Sequence, residues 1–154
     1  HFLFLAPNYE ASSIIDIMKQ ADINESDFTL IHPNFNEISN YLSAADYGYH
    51  SLPIQPDSFT RMGTKIVEYL SVGLPVIVNE HVGAAANILV NHKLGFTIYN
   101  DSNTETISNN LSLVLNIDRK ERINFAKKEY EVSSVAKKYI KVYNELDSMH
   151  IKSI

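Results

Sequence analysis

The chain has 154 residues, 45% hydrophobic and 20% charged, with five Gly, five Pro and no Cys: one domain's worth of globular sequence, which excludes disorder, collagen and coiled coil. Without Cys there is no thiolate zinc site, iron–sulfur cluster or thiol catalysis, and no window reaches the apolar length of a membrane span. The net charge of −5 conceals a body, residues 1–117, with four Lys/Arg against twelve Asp/Glu (net −8), which would repel a nucleic acid backbone, and a stretch, 118–154, with nine against six (net +3), which is most simply a solvated helix face.

Short apolar runs alternate with segments of helical spacing, the pattern of βαβ units. Phe2–Ala6 is the first strand; it has neither the basic leader nor the cleavage pattern of a signal peptide. A chain that opens in mid-strand on His1, without an initiator Met, is expected to be a piece of something longer. Ile14, Ile15, Ile17 and Met18 give a helix its buried side, and Phe28–Ile31 is the second strand. A short helix carries Ile38, Tyr41 and Leu42, and Ala44–Tyr49 leads into a third extended run. After a loop over 51–60, a helix from about Gly63 to Val72 ends at Gly73, where a C-terminal glycine belongs. Pro75–Val78 is a fourth strand, Ala84–Val90 a short helix and Gly95–Tyr99 a fifth strand. Helices then cover Glu105–Asn116, Arg119–Lys128 and Ser133–Leu146. The expected fold is α/β, a Rossmann-like, mostly parallel sheet flanked by helices, with C-terminal helices, in a single domain over 1–154.

Ligands of open parallel sheets bind outside the carboxyl ends of the strands. The loop after the third strand runs into Arg61-Met-Gly-Thr-Lys-Ile-Val-Glu68. At ~100° per residue Arg61, Thr64, Lys65 and Glu68 share one arc, and Ile66, Val67 and Leu70 lie opposite. Gly63 permits close backbone approach, and the helix start behind it offers unpaired N–H groups and a positive dipole end, which suit a phosphate. Arg61 and Lys65 add charge, and Glu68 can accept hydrogen bonds from two sugar hydroxyls. The plainer reading is a capped surface helix with a Lys65–Glu68 ion pair at i,i+3.

The stretch Tyr41-Leu-Ser-Ala-Ala-Asp46, then Gly63-Thr-Lys-Ile-Val-Glu68-Tyr-Leu-Ser-Val-Gly73-Leu-Pro75-Val-Ile77, resembles the donor-binding half of GT-B glycosyltransferases of the large group 1 type. Gly95–Ile98, Phe125–Lys127 and Tyr139–Tyr143 extend the likeness over the whole chain, with Lys65–Ile77 its specific part. The resemblance implies one half of a GT-B fold that transfers sugar, with retention, from a nucleotide diphosphate sugar to an acceptor hydroxyl in glycan or polysaccharide assembly. Glu68 matches the glutamate that holds the ribose, Gly63 and Thr64 the loop at the diphosphate, and Lys65, with Arg61 beside it, the candidate catalytic charge on the leaving group. Thr60 stands where many relatives have a glutamate that contacts the donor sugar. The resemblance also implies that the domain's first strand and the N-terminal domain holding the acceptor, a glycan or lipid-linked saccharide, lie outside these residues, so that this piece alone would be inactive. No metal or other cofactor is expected, and the expected location is cytoplasmic.

His32 follows the second strand, where it could approach the base; a strand-end histidine is more often just hydrogen-bonded. His50 and Ser51 end the third strand, where relatives place a small polar residue near the donor. Glu80, in a loop that resembles the family's acceptor-facing loop, reads more simply as a solvated turn residue. Lys127, Lys128, Lys137, Lys138 and Lys141 offer either a solvated face or contact with an anionic membrane. Rival functions are a sugar-nucleotide epimerase of the same architecture and a doubly wound interaction module that binds no nucleotide.

Overall fold

A computed structural model of the chain describes residues 1–6 and 10–151, with side chains through residue 148. The chain packs as two units, His1–Ala45 and Asp46–Ile154.

In the first unit β1 (Phe2–Leu5) pairs in parallel with β2 (Phe28–Ile31), in a register that sets Phe2 opposite Phe28 and Leu5 opposite Ile31. Between them α1 (Ala11–Gln20) buries Met18, and Phe4 meets Phe28 edge-on at 6.1 Å between ring centroids. A 3-10 turn over Phe35–Glu37 leads into α2 (Ile38–Ser43). The Ala44 and Ala45 amides donate to the Tyr41 and Leu42 carbonyls as the helix closes.

The second unit holds a parallel sheet in the order β3 (Gly48–His50), β4 (Val76–Asn79), β5 (Gly95–Ile98). α3 (Thr64–Ser71) connects β3 to β4, and α4 (Gly83–Asn91) connects β4 to β5. Ile66 and Leu70, one turn apart on α3, are fully buried with Val76 and Val78 of β4, Val82, and Ala85 and Leu89 of α4. This matches the i, i+4 spacing by which a helix presents one apolar face. The strands thus form two small parallel sheets flanked by helices, an α/β arrangement of Rossmann-like character.

Helices α5 (Thr104–Leu115), α6 (Arg119–Tyr130) and α7 (Val132–Ile151) follow. The basic stretch is not wholly a solvated face. Arg122 on α6 is only 4% exposed; its Nε donates to the Gly73 carbonyl at 2.8 Å and its Nη1 to the Val114 carbonyl at 3.1 Å. Arg119 Nε donates to the Val72 carbonyl at 2.7 Å. Two arginines therefore bond to carbonyls at the carboxyl ends of α3 and α5.

α3 ends as its sequence predicts. Gly73 has φ +80, the Leu74 amide donates to Tyr69 and the Gly73 amide to Leu70, the paired bonds of a left-handed helix stop. α1 and α4 stop in the same way on Asp22 (φ 55) and Lys93 (φ 56), which bear the steric cost that glycine avoids. Lys93→Gly is accordingly expected to raise stability by about 0.5 kcal/mol, the relief of left-handed strain less the entropy glycine adds to the unfolded chain. Gly73→Ala, whose Cβ would collide with the Arg119 side chain, is expected to cost about 2 kcal/mol. Urea denaturation of both variants measures the contrast.

Candidate functional site

The last residue of β3 and the residue before α3 are in contact. A Cβ on Gly63 would run into the His50 ring at Nε2, so the start of α3 lies against the carboxyl end of β3, where ligands of parallel sheets bind. Gly63 has an ordinary extended backbone (φ −67, ψ 130); glycine serves here for its missing side chain, not for backbone freedom. α3, like α1 and α4, begins without a side-chain cap. In contrast, Asn103 caps α5 and Asp118 caps α6, each accepting an amide hydrogen bond at 2.8 Å. The first amides of α3, at Thr64 and Lys65, thus carry the positive end of the helix dipole with no side-chain acceptor on them.

The loop from Ser51 to Met62 is held at three places. The Asn79 amide, at the end of β4, accepts from the Leu52 amide at 3.1 Å and donates to the Leu52 carbonyl at 2.8 Å. Ser58 is fully buried and donates to the Pro53 carbonyl at 2.8 Å. Phe59 packs against Gly83 and meets the His81 ring edge-on at 6.4 Å. The sequence reading gave Asn79 no part in positioning this loop: its partner is 27 positions away, and only its place at a strand end marks it.

The expected site residues divide as follows. The helix begins at Thr64, so Arg61 is not on the shared helical arc; it has extended backbone (φ −77, ψ 135) between a 3-10 turn over Ser58–Thr60 and the start of α3. Thr64, Lys65 and Glu68 are on α3. Lys65 Nζ donates to Glu68 Oε2 at 2.8 Å, with both side chains about half exposed. Arg61 pairs with Asp57, and the Thr60 hydroxyl donates to the Asp57 carbonyl at 2.9 Å. Both cations of this segment therefore have carboxylate partners within the chain. Ser51 is exposed directly after β3. His32 belongs to the first unit, where its Nδ1 donates to the Ala6 carbonyl at 2.6 Å, the hydrogen-bonded role common for a strand-end histidine.

Glu80 sits in the turn after β4, partly exposed, with a carboxylate oxygen 3.7 Å from His81 Nε2. On the basic helices Lys138 pairs with Glu129 at 2.6 Å and Lys141 with Glu145 at 3.9 Å. The hydrogen bond from Lys138 holds the Glu129 carboxyl below its ordinary range. Among the described residues no cluster of His, Asp and Glu could hold a metal ion, and no described helix is long and apolar enough to cross a membrane.

Two groups at the site titrate away from their ordinary values. Burial, with Glu68 alongside, raises the Tyr69 phenol, whose hydroxyl donates to the Tyr49 carbonyl at 3.3 Å. Burial lowers the affinity of His50 for a proton; its Nε2 is covered and has no hydrogen-bond partner.

No family model, curated protein or solved structure matches the chain.

Two expectations follow. With the folded-state pKa of His50 below the unfolded value, the unfolded chain takes up its proton first as the pH falls through about 6.5. The His50 contribution to stability is therefore complete above that pH and declines below it, levelling off under the depressed folded value. The pH dependence of ΔG in His50→Asn should be flatter than in the wild type over pH 5–7 by that amount; equal slopes would remove the burial argument. Asn79→Ala should cost about 1–3 kcal/mol by leaving the Leu52 amide and carbonyl without their partner, and hydrogen exchange at Leu52 should quicken more than at Leu70.

Proposed function

We propose that this chain is the donor-binding part of a glycosyltransferase of GT-B architecture, and that it binds the diphosphate of a nucleotide sugar at the start of α3. The observation that carries the reading is the uncapped start of α3, set by the Gly63–His50 contact against the carboxyl end of β3 and flanked by Arg61, Lys65 and Glu68. Amides and a dipole end in that position suit an anion. In the proposed complex the Thr64 and Lys65 amides donate to phosphate oxygens. Lys65 leaves Glu68 for the diphosphate and offsets the charge that develops as the sugar departs. Glu68, released, accepts from the two ribose hydroxyls. Ser51, on the loop clamped by Asn79, faces the sugar with Thr60. The acceptor would be a glycan or lipid-linked saccharide presented by another domain, and the work would be polysaccharide assembly on the cytoplasmic side of a membrane.

One observation favours a second reading, an α/β interaction module that binds no nucleotide: Arg61 and Lys65 are already paired with Asp57 and Glu68.

Titration of the chain with UDP, GDP and their sugars, followed by calorimetry, separates the two. The glycosyltransferase reading expects one base to bind, and Glu68→Ala to weaken that binding by roughly 10–100-fold through the lost charge-assisted hydrogen bonds, with thermal stability nearly unchanged because the pair is exposed. Absence of binding by every nucleotide, or equal binding by Glu68→Ala, would overturn the assignment.

A further inference from the structure

We propose that His50 is a positioning residue for the anion site: its neutral ring seats the start of α3, and a proton on the ring releases it. His50 is the last residue of β3 and Gly63 the residue before α3. A Cβ on Gly63 would run into Nε2, Cε1 and Cδ2 of the imidazole, so the Nε2 edge of the ring occupies the room that glycine leaves. Nε2 is covered and has no hydrogen-bond partner. The backbone at Gly63 belongs to this chain, and whatever packs on the chain from outside does not reach a nitrogen already covered from within.

The two states of the ring fit this seat differently. Neutral imidazole can carry its proton on Nδ1 and leave Nε2 a bare acceptor, which suits a place beside the positive end of the α3 dipole. The imidazolium carries N–H at both nitrogens. At Nε2 it would bury a donor without an acceptor and set a cation against that same positive end, and each costs free energy. Among the described residues no charge offsets this. On the packed elements Lys65 pairs with Glu68, Arg61 with Asp57 and Glu80 with His81, the Tyr69 phenol donates to the Tyr49 carbonyl, and burial alone moves the His50 titration. The ring must therefore leave its seat to hold the proton. Because burial lowers its proton affinity, the seat is filled at pH 7 and empties as the pH falls through the lowered value. The body of α3 is held by Ile66 and Leu70 in the core, so release frees Gly63 and the first turn only. The amides of that turn would hold the diphosphate, so nucleotide binding, which rests on the function proposed above, weakens on acidification.

Hydrogen exchange on the free 154-residue chain tests the release without any nucleotide. The Ile66 amide donates to the Gly63 carbonyl at 3.0 Å and reports the first turn; Leu70, one turn on, reports the helix body. After correction for the intrinsic effect of pH on exchange, protection at Ile66 relative to Leu70 should fall about 5–10-fold between pH 7 and 5. His50→Asn, which cannot take up the proton, should remove that fall. Gly63→Ala is a second check, because its methyl displaces the ring: the His50 pKa, followed by NMR of the ring protons, should rise toward the ordinary value of about 6.5, and Ile66 should be poorly protected already at pH 7. Calorimetry with the nucleotide sugar that binds reads the consequence, since its diphosphate diester has no group that titrates in this range. Affinity should fall about 5–10-fold between pH 7 and 5 in the wild type and hold steady in His50→Asn. A protection ratio indifferent to pH, or equally sensitive in His50→Asn, would overturn the proposal. So would affinity that rises on acidification, because His50 would then be a cation that attracts the diphosphate. If no nucleotide binds at any pH, the glycosyltransferase reading falls, and the exchange ratio still decides for or against His50.

Discussion

α3 is anchored at its carboxyl end, and the candidate site depends on that anchor. Arg122 is buried with backbone carbonyls as its hydrogen-bond partners, Gly73 at the end of α3 and Val114 at the end of α5. A buried guanidinium is costly unless its donors are used, so the two helix ends must come to it at a fixed separation. Arg119 adds the Val72 carbonyl, and Gly73 turns the chain without a Cβ that would block that approach. Ile66 and Leu70 fix the rotation of the helix by occupying the core. With its carboxyl end and rotation fixed, the amino end of α3 can remain open without loss of position.

The loop that delivers the chain to that open end is held in a similar way. Asn79 satisfies both backbone groups of Leu52 with one side chain, and Ser58 closes the middle of the loop on the Pro53 carbonyl. A loop ordered before any ligand arrives loses less entropy on binding than a mobile one. His50 supplies the contact between the strand end and Gly63 with an imidazole nitrogen that has no partner, a local cost of burial. The neutral ring tolerates that burial better than the charged one, which is why the pKa moves down.

Much of this architecture was legible in local pattern. Phe28–Ile31 is a mainly apolar run in which Thr29 is the one polar residue, and it forms a strand over the same four residues. Gly73 follows the last helical residues and takes the left-handed conformation its position called for. Ile66 and Leu70, spaced one turn apart, are both fully buried. What was not legible depends on distant partners or on backbone geometry without a residue signature. Asp22 and Lys93 end helices as glycine does, and nothing in their side chains announces it. Arg122 stood among the charges of a helix that looked solvated; its role needed carbonyls 8 and 49 positions away. Arg61 was placed on a helical arc because spacing alone does not mark the first helical residue. That Thr64, Lys65 and Glu68 share one helix was legible from one turn of sequence, because a helix fixes their relative positions.

The strengths of these contacts differ in a way that suits exchange of partners. The Lys65–Glu68 and Arg61–Asp57 pairs are exposed, and exposed pairs contribute about 0–1 kcal/mol. Breaking them costs little, and the anchors of α3 share no atoms with them. Their charges also cancel: two cations and two carboxylates leave this segment neutral within a body, residues 1–117, of net charge −8. A long-range field would not draw an anion here, because like charge opposes approach and salt screens what remains beyond about 8–10 Å. An anion recognised at the start of α3 must therefore be held at short range, by amides at hydrogen-bond distance and by a lysine that turns from a carboxylate to the ligand. In the proposed complex such recognition would depend on geometry more than on net charge, and the anchoring of α3 and the clamp on its loop supply that geometry.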